Sequence, residues 1–189
     1  MGYYTKEELT AFGFLSLGEN VKISQKASIY DPEKIKIGNN SRIDDFCVVS
    51  GKVEIGNFVH ITPFCLIAGG SKGVYLADFS ALAYGVKVFS QSDDYSGETM
   101  TNSNIPKQFK NETKKAVHIG KHCIVGAGSI ILPGTHLQEG TSVGAMSLVR
   151  KSTEPWSIYV GNPAKKLKSR SKALLELEKQ FLSEAGSKP

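Results

Sequence analysis

The feature that most constrains the fold is a period of six in the aliphatic residues. Two unbroken stretches carry an aliphatic residue at every sixth position: Ile37, Ile43, Val49, Ile55, Ile61 and Ile67, and then Ile119, Val125, Ile131, Leu137, Val143 and Val149. This period matches neither the 3.6-residue repeat of an α-helix nor the two-residue repeat of a single strand. Short fixed repeats are typical of solenoids, whose coils bury their apolar faces against one another. The sequence therefore predicts an all-β parallel β-helix, with three flat faces per coil around a narrow interior.

The period divides the chain into about six three-faced coils and places the insertions at one corner. The coils are predicted to begin at Leu17, Ile37, Ile55, Leu76, Ile119 and Leu137. Each interruption of the period follows a third face, and the longest is a loop over residues 90–116. Loops of this length in compact domains are usually functional or disordered, and the mixed composition here favours a function.

Both ends of the 189-residue chain are predicted to cap a single domain. Residues 1–16 form an N-terminal cap, in which Thr5 and Glu8 have the spacing of a helix capping box. The β-helix occupies residues 17–164, and residues 165–189 are predicted to be a C-terminal α-helix and tail that pack over the open end of the coil. No long apolar run or basic-then-apolar leader occurs, so we expect a cytoplasmic protein without membrane insertion.

The positions of the cysteines indicate where they lie in the fold, and the net charge indicates which classes of partner to expect. Cys47, Cys65 and Cys123 each lie four residues after a repeat aliphatic, where other coils have small residues, so we expect them in the interior. The net charge is +5, and basic residues gather near the C-terminus. No recognised nucleic-acid motif accompanies this charge, so nucleic acid is not an expected partner. An anionic small molecule, such as a phosphorylated cofactor, is the alternative.

The hexapeptides resemble those of the left-handed β-helix acyltransferases. Residues 119–129 (IGKHCIVGAGS) and 161–165 (GNPAK) are similar to the CoA-binding end of that family. Residues 92–97 (SDDYSG) and 154–156 (EPW) resemble a subgroup met among O-antigen and capsule acetyltransferases. The resemblance implies a left-handed coil, a homotrimer with active sites between subunits, acetyl-CoA as donor, and a hydroxyl or amine as acceptor. An amino or hydroxyl sugar, free or nucleotide-linked, in surface polysaccharide synthesis is the expected acceptor.

The expected chemistry requires a general base. Acyl transfer from a thioester needs a base near the nucleophile and donors for the developing oxyanion. The resemblance implies a base histidine in the loop that leaves the coil, but the matching position here is about Asp93. We predict instead that His60 is the base and faces Asp93 and Asp94 of a neighbouring subunit, which orient it or bind an acceptor amine. An amine already neutral in the site would need no base.

A column of small residues is predicted to hold the pantetheine arm of CoA. It is expected to rise from His60 along the corner between the first and second faces, through Ala81, Ala83, Gly126, Ala127, Gly144 and Ala145. Coils about 4.8 Å apart give three steps a span on the order of 14 Å, the scale of much of a pantetheine arm.

Charged and aromatic residues near this column are candidates for further contacts. Lys151, Lys165 and Lys168 are predicted to meet the CoA phosphates as flexible point charges. His118 and His136 should stack on adjacent coils where the long loop emerges, and there contact the acceptor or remain solvated. Tyr95 and Trp156 are suited to stacking on a sugar or a nucleotide base, with packing of the loop and cap as the alternative.

Three other interpretations remain open at this point. A zinc enzyme of the γ-carbonic-anhydrase type also uses this architecture, but no converging set of three ligands is apparent, so no metal is predicted. A non-enzymatic scaffold would explain the hexapeptides, but neither the small-residue column nor the long loop. Serine or an antibiotic is an alternative acceptor, since related coils acylate such molecules.

Overall fold

The chain winds into a three-sided parallel β-helix, which the computed structural model describes over residues 2–185. Three strands form each of the first four coils: β1 (Ser16–Leu17), β2 (Lys22–Ile23), β3 (Ser28–Ile29); β4 (Ile35–Ile37), β5 (Arg42–Ile43), β6 (Val48–Ser50); β7 (Val53–Ile55), β8 (His60–Ile61), β9 (Leu66–Ala68); β10 (Val74–Leu76), β11 (Ala81–Leu82), β12 (Lys87–Phe89). An antiparallel ribbon of β13 (Gln91–Ser92) and β14 (Thr113–Lys114) interrupts the coils. The remaining strands are β15 (Val117–Ile119), β16 (Ile124–Val125), β17 (Ile130–Ile131); β18 (His136–Leu137), β19 (Ser142–Val143), β20 (Leu148–Val149); and β21 (Ser157–Val160) and β22 (Lys165–Ser169).

The predicted coil boundaries are confirmed by the strand register. The first residues of the coils stack as Leu17, Ile37, Ile55, Leu76, Ile119 and Leu137. Six complete coils are present, and β21 continues the second face into a seventh. The aliphatic residues of the period fill the interior, where most of them are fully buried. Neighbouring coils thus supply the burial that no single coil achieves alone.

The three cysteines lie in this interior, as predicted. Cys47, Cys65 and Cys123 are buried and free. Each Sγ lies 3.1–3.2 Å from a carbonyl oxygen near the corner of the next coil. They therefore act as small core residues.

The corner between the first and second faces carries a ladder of rings. Phe58, Phe79, His122 and Trp156 turn the chain there with positive φ, a region that costs a non-glycine residue roughly 1–2 kcal/mol. Ring centroids are 4.9 Å apart for Phe58 and Phe79, and 5.3 Å apart for Phe79 and His122. This stacking offsets part of the backbone cost.

The predicted N-terminal capping box is confirmed. Helix α1 (Lys6–Ala11) begins after Thr5, whose Oγ1 accepts a hydrogen bond from Glu8 N at 3.2 Å. The carboxylate of Glu8 accepts the reciprocal bond from Thr5 N at 2.7 Å. No helix within the described residues is long and apolar enough to cross a membrane.

The prediction of a helix from residue 165 is wrong. Residues 165–169 form β22, which pairs antiparallel with β21 because β21 would otherwise present an unpaired edge. Helix α2 (Leu174–Ala185) begins at Leu174, and it lies along the ring ladder instead of over the open end. Phe181 packs edge-on against Phe58 at 5.2 Å. The long loop also has its own structure, the β13–β14 ribbon and a short 3₁₀ turn at Lys107–Phe109.

Candidate active site

His60 belongs to a compact charged cluster at the start of the second face. Its Nε2 lies 2.8 Å from Asp44 Oδ2, and Arg42 Nε donates to Asp44 Oδ1 at 2.6 Å. The hydroxyl of Tyr3, in the N-terminal segment, donates to the same Oδ1 at 3.3 Å. The Asp44 side chain is only 3% exposed, whereas that of His60 is 43% exposed. A buried carboxylate therefore holds a solvent-accessible imidazole.

The charge balance of this cluster fits an oriented base. Burial acts to raise the pKa of Asp44, but hydrogen bonds from Arg42 and His60 outweigh it, so the pKa of Asp44 is lowered. An ionised Asp44 stabilises the tautomer in which Nε2 of His60 carries the proton. Nδ1 is then an acceptor, and no residue among 2–185 forms a hydrogen bond with it. Such a nitrogen can take a proton from a nucleophile.

Of the predicted small-residue column, Ala81 does stand directly above His60, but the prediction that the glycines continue this column is wrong. Register places His60 between Arg42 and Ala81, in the column that continues to Ile124 and Ser142. Ala83, Gly126 and Gly144 form a second column two residues further along the chain, just past the ends of these strands, and Thr62 and Asp44 stand below it. Both columns point outward, because residues two apart on a strand share a face. Asp44 connects the two columns, because it stands below Ala83, Gly126 and Gly144 and forms a hydrogen bond with His60 in the other column.

Glycine is required in the small-residue column by the approach of neighbouring coils. A Cβ on Gly126 would lie 2.5 Å from the amide nitrogen of Ala145. The amide of Gly126 donates to Val143 O at 2.8 Å, within the ladder between coils. In contrast, the amides of Ala127 and Ala145 donate no hydrogen bond within the described chain. These two amides are therefore available to a ligand that runs along the corner.

The predicted phosphate-binding lysines are spread over the last coils: Lys165 pairs with Val160, which lies against Gly144, Lys168 pairs with Ile158, above Ser142, and Lys151 follows β20 of the third face. Lys151, Lys165 and Lys168 are all exposed, the last two on β22. None of the three forms an ion pair within residues 2–185, whereas Lys166 pairs with Glu154 at 2.6 Å. Their side chains are free to meet an anion.

The two loop aspartates have different environments. The carboxylate of Asp94 accepts hydrogen bonds of 2.9 Å from Ser96 N, Ser96 Oγ and Thr99 Oγ1, and these bonds lower the pKa of Asp94. The carboxylate of Asp93 makes no such bond within the described residues, and it lines a groove of about 310 Å³ with Tyr95. Asp94 thus shapes the loop, while Asp93 is the better ligand-binding candidate. Within one chain, neither is the partner of His60, since Asp44 takes that place.

His118 and His136 are paired on adjacent coils, as expected, with ring centroids 5.3 Å apart. His118 also stacks on Tyr75 at 4.7 Å, and burial followed by the neighbouring His136 lowers the pKa of His118. Tyr95 is 92% exposed at the loop surface. Trp156 is part of the ring ladder, 6.2 Å from His122, which favours its packing role.

Asp44 is the site residue that sequence reasoning missed. The sequence did contain a signal for it: Arg42 and Asp44 flank the interior residue Ile43 and therefore both point outward. They stand in register with His60 and Thr62 on the next coil. Among the described residues, no group of three or more His, Cys, Asp or Glu side chains could hold a metal ion.

Comparison with known proteins identifies the family. Residues 34–69 match the family described as bacterial transferase hexapeptide (six repeats). The chain is 44% identical to a dTDP-4-amino-4,6-dideoxy-D-glucose acyltransferase of Escherichia coli, over 96% of this chain and 95% of the relative. It superposes with a TM-score of 0.96 on a variant of AntD, an N-acyltransferase from Bacillus cereus, in complex with dTDP-4-amino-4,6-dideoxyglucose and coenzyme A, at 48% identity over 97% and 98% of the two chains.

A further AntD structure, in complex with dTDP and 3-hydroxybutyryl-CoA, has a TM-score of 0.96 and 47% identity over 98% of both chains. These similarities span nearly the whole of each protein and include the loop, the coils and the C-terminal elements. The chain therefore belongs to the hexapeptide-repeat acyltransferases, and within them to the CoA-dependent enzymes that acylate sugars.

Proposed function

We propose that this enzyme transfers an acyl group from acyl-CoA to the 4-amino group of a dTDP-linked 4-amino-4,6-dideoxy sugar. The observation that carries the proposal is the 44% identity, over nearly the full length of both chains, to the E. coli acyltransferase named for that acceptor. The reaction would take place in the cytoplasm and supply a building block for cell-surface polysaccharide. Acetyl-CoA is one donor to test, and the 3-hydroxybutyryl-CoA bound to AntD makes longer acyl donors another.

In the proposed reaction the amine lone pair attacks the thioester carbonyl carbon. The C–S bond then breaks, CoA leaves as the thiolate, and the amine loses a proton. Nδ1 of His60 takes this proton, because Asp44 holds Nε2 at 2.8 Å and stabilises the resulting imidazolium. The free amides of Ala127 and Ala145 are suited to the carbonyl oxygens of the donor. Asp93 of a neighbouring subunit would bind the acceptor amine and position it for attack.

We propose a homotrimer as the active form. An apolar ridge runs along the corner between the second and third faces, where Phe46, Phe64, Tyr84 and Met146 are 51%, 60%, 61% and 75% exposed. Phe46 and Phe64 stack with centroids 5.2 Å apart. A row of exposed apolar side chains along one corner is typical of a protein–protein interface. Light scattering that gives the mass of a monomer at micromolar concentration would contradict the trimer.

The acceptor is tested with a panel assayed by release of free CoA thiol from acetyl-CoA. The panel contains the dTDP-linked amino sugar, its 4-hydroxy analogue, the free amino sugar, serine and an aminoglycoside. We expect turnover with the dTDP-linked amine alone. Turnover of the free sugar or of serine, without the nucleotide-linked sugar, would overturn the acceptor assignment.

Two variants test the base. His60→Ala is expected to lower kcat by about 10²–10⁴-fold, the range typical of a lost general base. Asp44→Asn is expected to lower kcat less and to shift its pH profile, because the amide no longer fixes the charge and tautomer of His60. Asp45→Asn is the matched control, since Asp45 bonds Ser24 and Lys26 instead. An unchanged kcat for His60→Ala in an intact trimer would assign the proton to another group or to the substrate.

A further inference from the structure

A cavity of about 510 Å³ lies between helix α2 and the second face, outside the cluster around His60. Its floor contains Ala81 and Ile124, Phe79 of the ring ladder forms one wall, and Leu177 and Phe181 of α2 lie above it. Leu177 is 64% exposed and Phe181 is 45% exposed, so the helix does not close over the space. The cavity is open to ligands and mainly apolar.

The polar groups in its wall are already engaged. His122 Nε2 lies 2.9 Å from Glu178 Oε2, and Lys121 pairs with the other carboxylate oxygen at 2.5 Å. The guanidinium of Arg170 donates from Nη1 to the carbonyls of His122 and Gly140, at 2.8 and 3.0 Å. A ligand in this cavity therefore gains chiefly by burying apolar surface.

The cavity adjoins both parts of the proposed reaction centre. Ala81 is in register with His60 on the coil below and with Ile124 on the coil above. Ala83 and Gly126, the proposed wall for the pantetheine arm, stand two residues further along the chain, just past the ends of the same strands. A strand rises about 3.3 Å per residue, so the two columns are roughly 7 Å apart. A thioester held beside the small-residue column would therefore lie within reach of the cavity.

We propose that this cavity binds the acyl chain of the donor, so that α2 and Ile124 set the preferred chain length. The inference rests on the proposed acyl-CoA chemistry and adds the site that selects among donors. Each methylene buried there should tighten binding up to about fourfold, which corresponds to ~0.8 kcal/mol. The enzyme is then expected to favour acyl groups of four to six carbons over acetyl.

The test is calorimetric titration of the full-length protein with CoA, acetyl-CoA, butyryl-CoA and hexanoyl-CoA. The wild type should bind hexanoyl-CoA at least about tenfold more tightly than acetyl-CoA. Ile124→Trp fills the floor and should remove this gain while the affinity for acetyl-CoA stays within about threefold. A chain-length dependence equal in wild type and Ile124→Trp, or absent from the wild type, would overturn the inference.

A second pair of variants avoids any change to the floor of the cavity. Leu177→Ala should weaken hexanoyl-CoA binding by about threefold or more. Leu167→Ala is the matched control, because Leu167 is 61% exposed but lies on β22, outside the cavity. Equal losses in the two variants would contradict the inference. Failure of CoA itself to bind would overturn the proposed function together with this site. If the enzyme transfers acetyl groups but the cavity variants keep the chain-length preference of the wild type, the site alone is overturned.

Discussion

Two buried serines in the same column are expected to respond oppositely to the same substitution. Ser41 and Ser80 each precede a strand of the second face, two coils apart, and both are 1% exposed. Ser41 Oγ donates to Gly56 O at 2.7 Å and accepts from Val59 N at 3.0 Å. Ser80 Oγ is buried without a hydrogen-bond partner in the part of the chain that the structure describes.

The hydrogen bonds set the expected magnitudes. In Ser41→Ala the amide of Val59 loses its acceptor inside the coil, which should lower the free energy of unfolding by about 1–3 kcal/mol. In Ser80→Ala an unpaired buried hydroxyl is removed, and the release of its desolvation cost should raise the free energy of unfolding by about 1–2 kcal/mol. For a chain of this size, each kcal/mol corresponds to a change in Tm of roughly 2–4 °C.

Urea unfolding followed by far-UV circular dichroism measures both effects. Protomer concentration must be the same for all samples, because assembly adds to apparent stability. We expect the midpoint to rise for Ser80→Ala and to fall for Ser41→Ala, with similar m-values. A fall for Ser80→Ala as large as that for Ser41→Ala would refute the reasoning, because it would mean that the Ser80 hydroxyl makes a stabilising bond.

Three further results are expected. Gly126→Ala should lower the urea midpoint more than Gly144→Ala, because a Cβ at 126 meets rigid backbone of the next coil at 2.5 Å whereas one at 144 first meets a valine side chain at 2.7 Å; equal midpoints would contradict this. Hydrogen bonds from Lys121, and to a smaller extent from His122, hold the pKa of Glu178 below its usual value. The ionised carboxylate therefore stabilises the attachment of α2 at neutral pH, and this contribution is lost as pH falls through the lowered pKa. At that pH, hydrogen exchange of the α2 amides should accelerate before the amides of the coils lose protection. Loss of protection in α2 and in the coils at the same pH would contradict the idea that Glu178 holds α2 in place. Burial raises the pKa of the Cys123 thiol to about 11, so the native protein should react with a thiol reagent far more slowly than the urea-unfolded chain; similar rates would show the interior to be accessible.

Much of the fold could be predicted from the period alone. Each coil repeats the same local geometry, so the position of Ile61 in one coil predicts those of Ile43 and Leu82 in its neighbours. The same regularity predicted that the cysteines lie inside and that His118 stacks beneath His136. These features depend on residue spacing along the chain, which a sequence displays directly.

The candidate site was only half predictable. His60 was identified from its place in a coil, but its partner Asp44 lies on the preceding coil and is buried by contacts from Arg42 and the N-terminal Tyr3. Asp93 and Asp94 are adjacent in sequence, yet in the described part of the chain the loop turn hydrogen-bonds the carboxylate of Asp94 and not that of Asp93. These differences arise from side chains that meet across coils and within turns, where spacing carries little information.

The hexapeptide period by itself determined the coil, its interior and the corner from which the long loop emerges, because these follow from a geometry repeated every six residues. Tertiary structure decided the rest. Residues 165–169 form a strand because they pair with the otherwise unpaired edge of β21. The residues of α2 form a helix whose apolar side chains pack against the ring ladder. The hydrogen bond between His60 and Asp44, and the walls of the cavity under α2, are formed by residues that are distant in the chain.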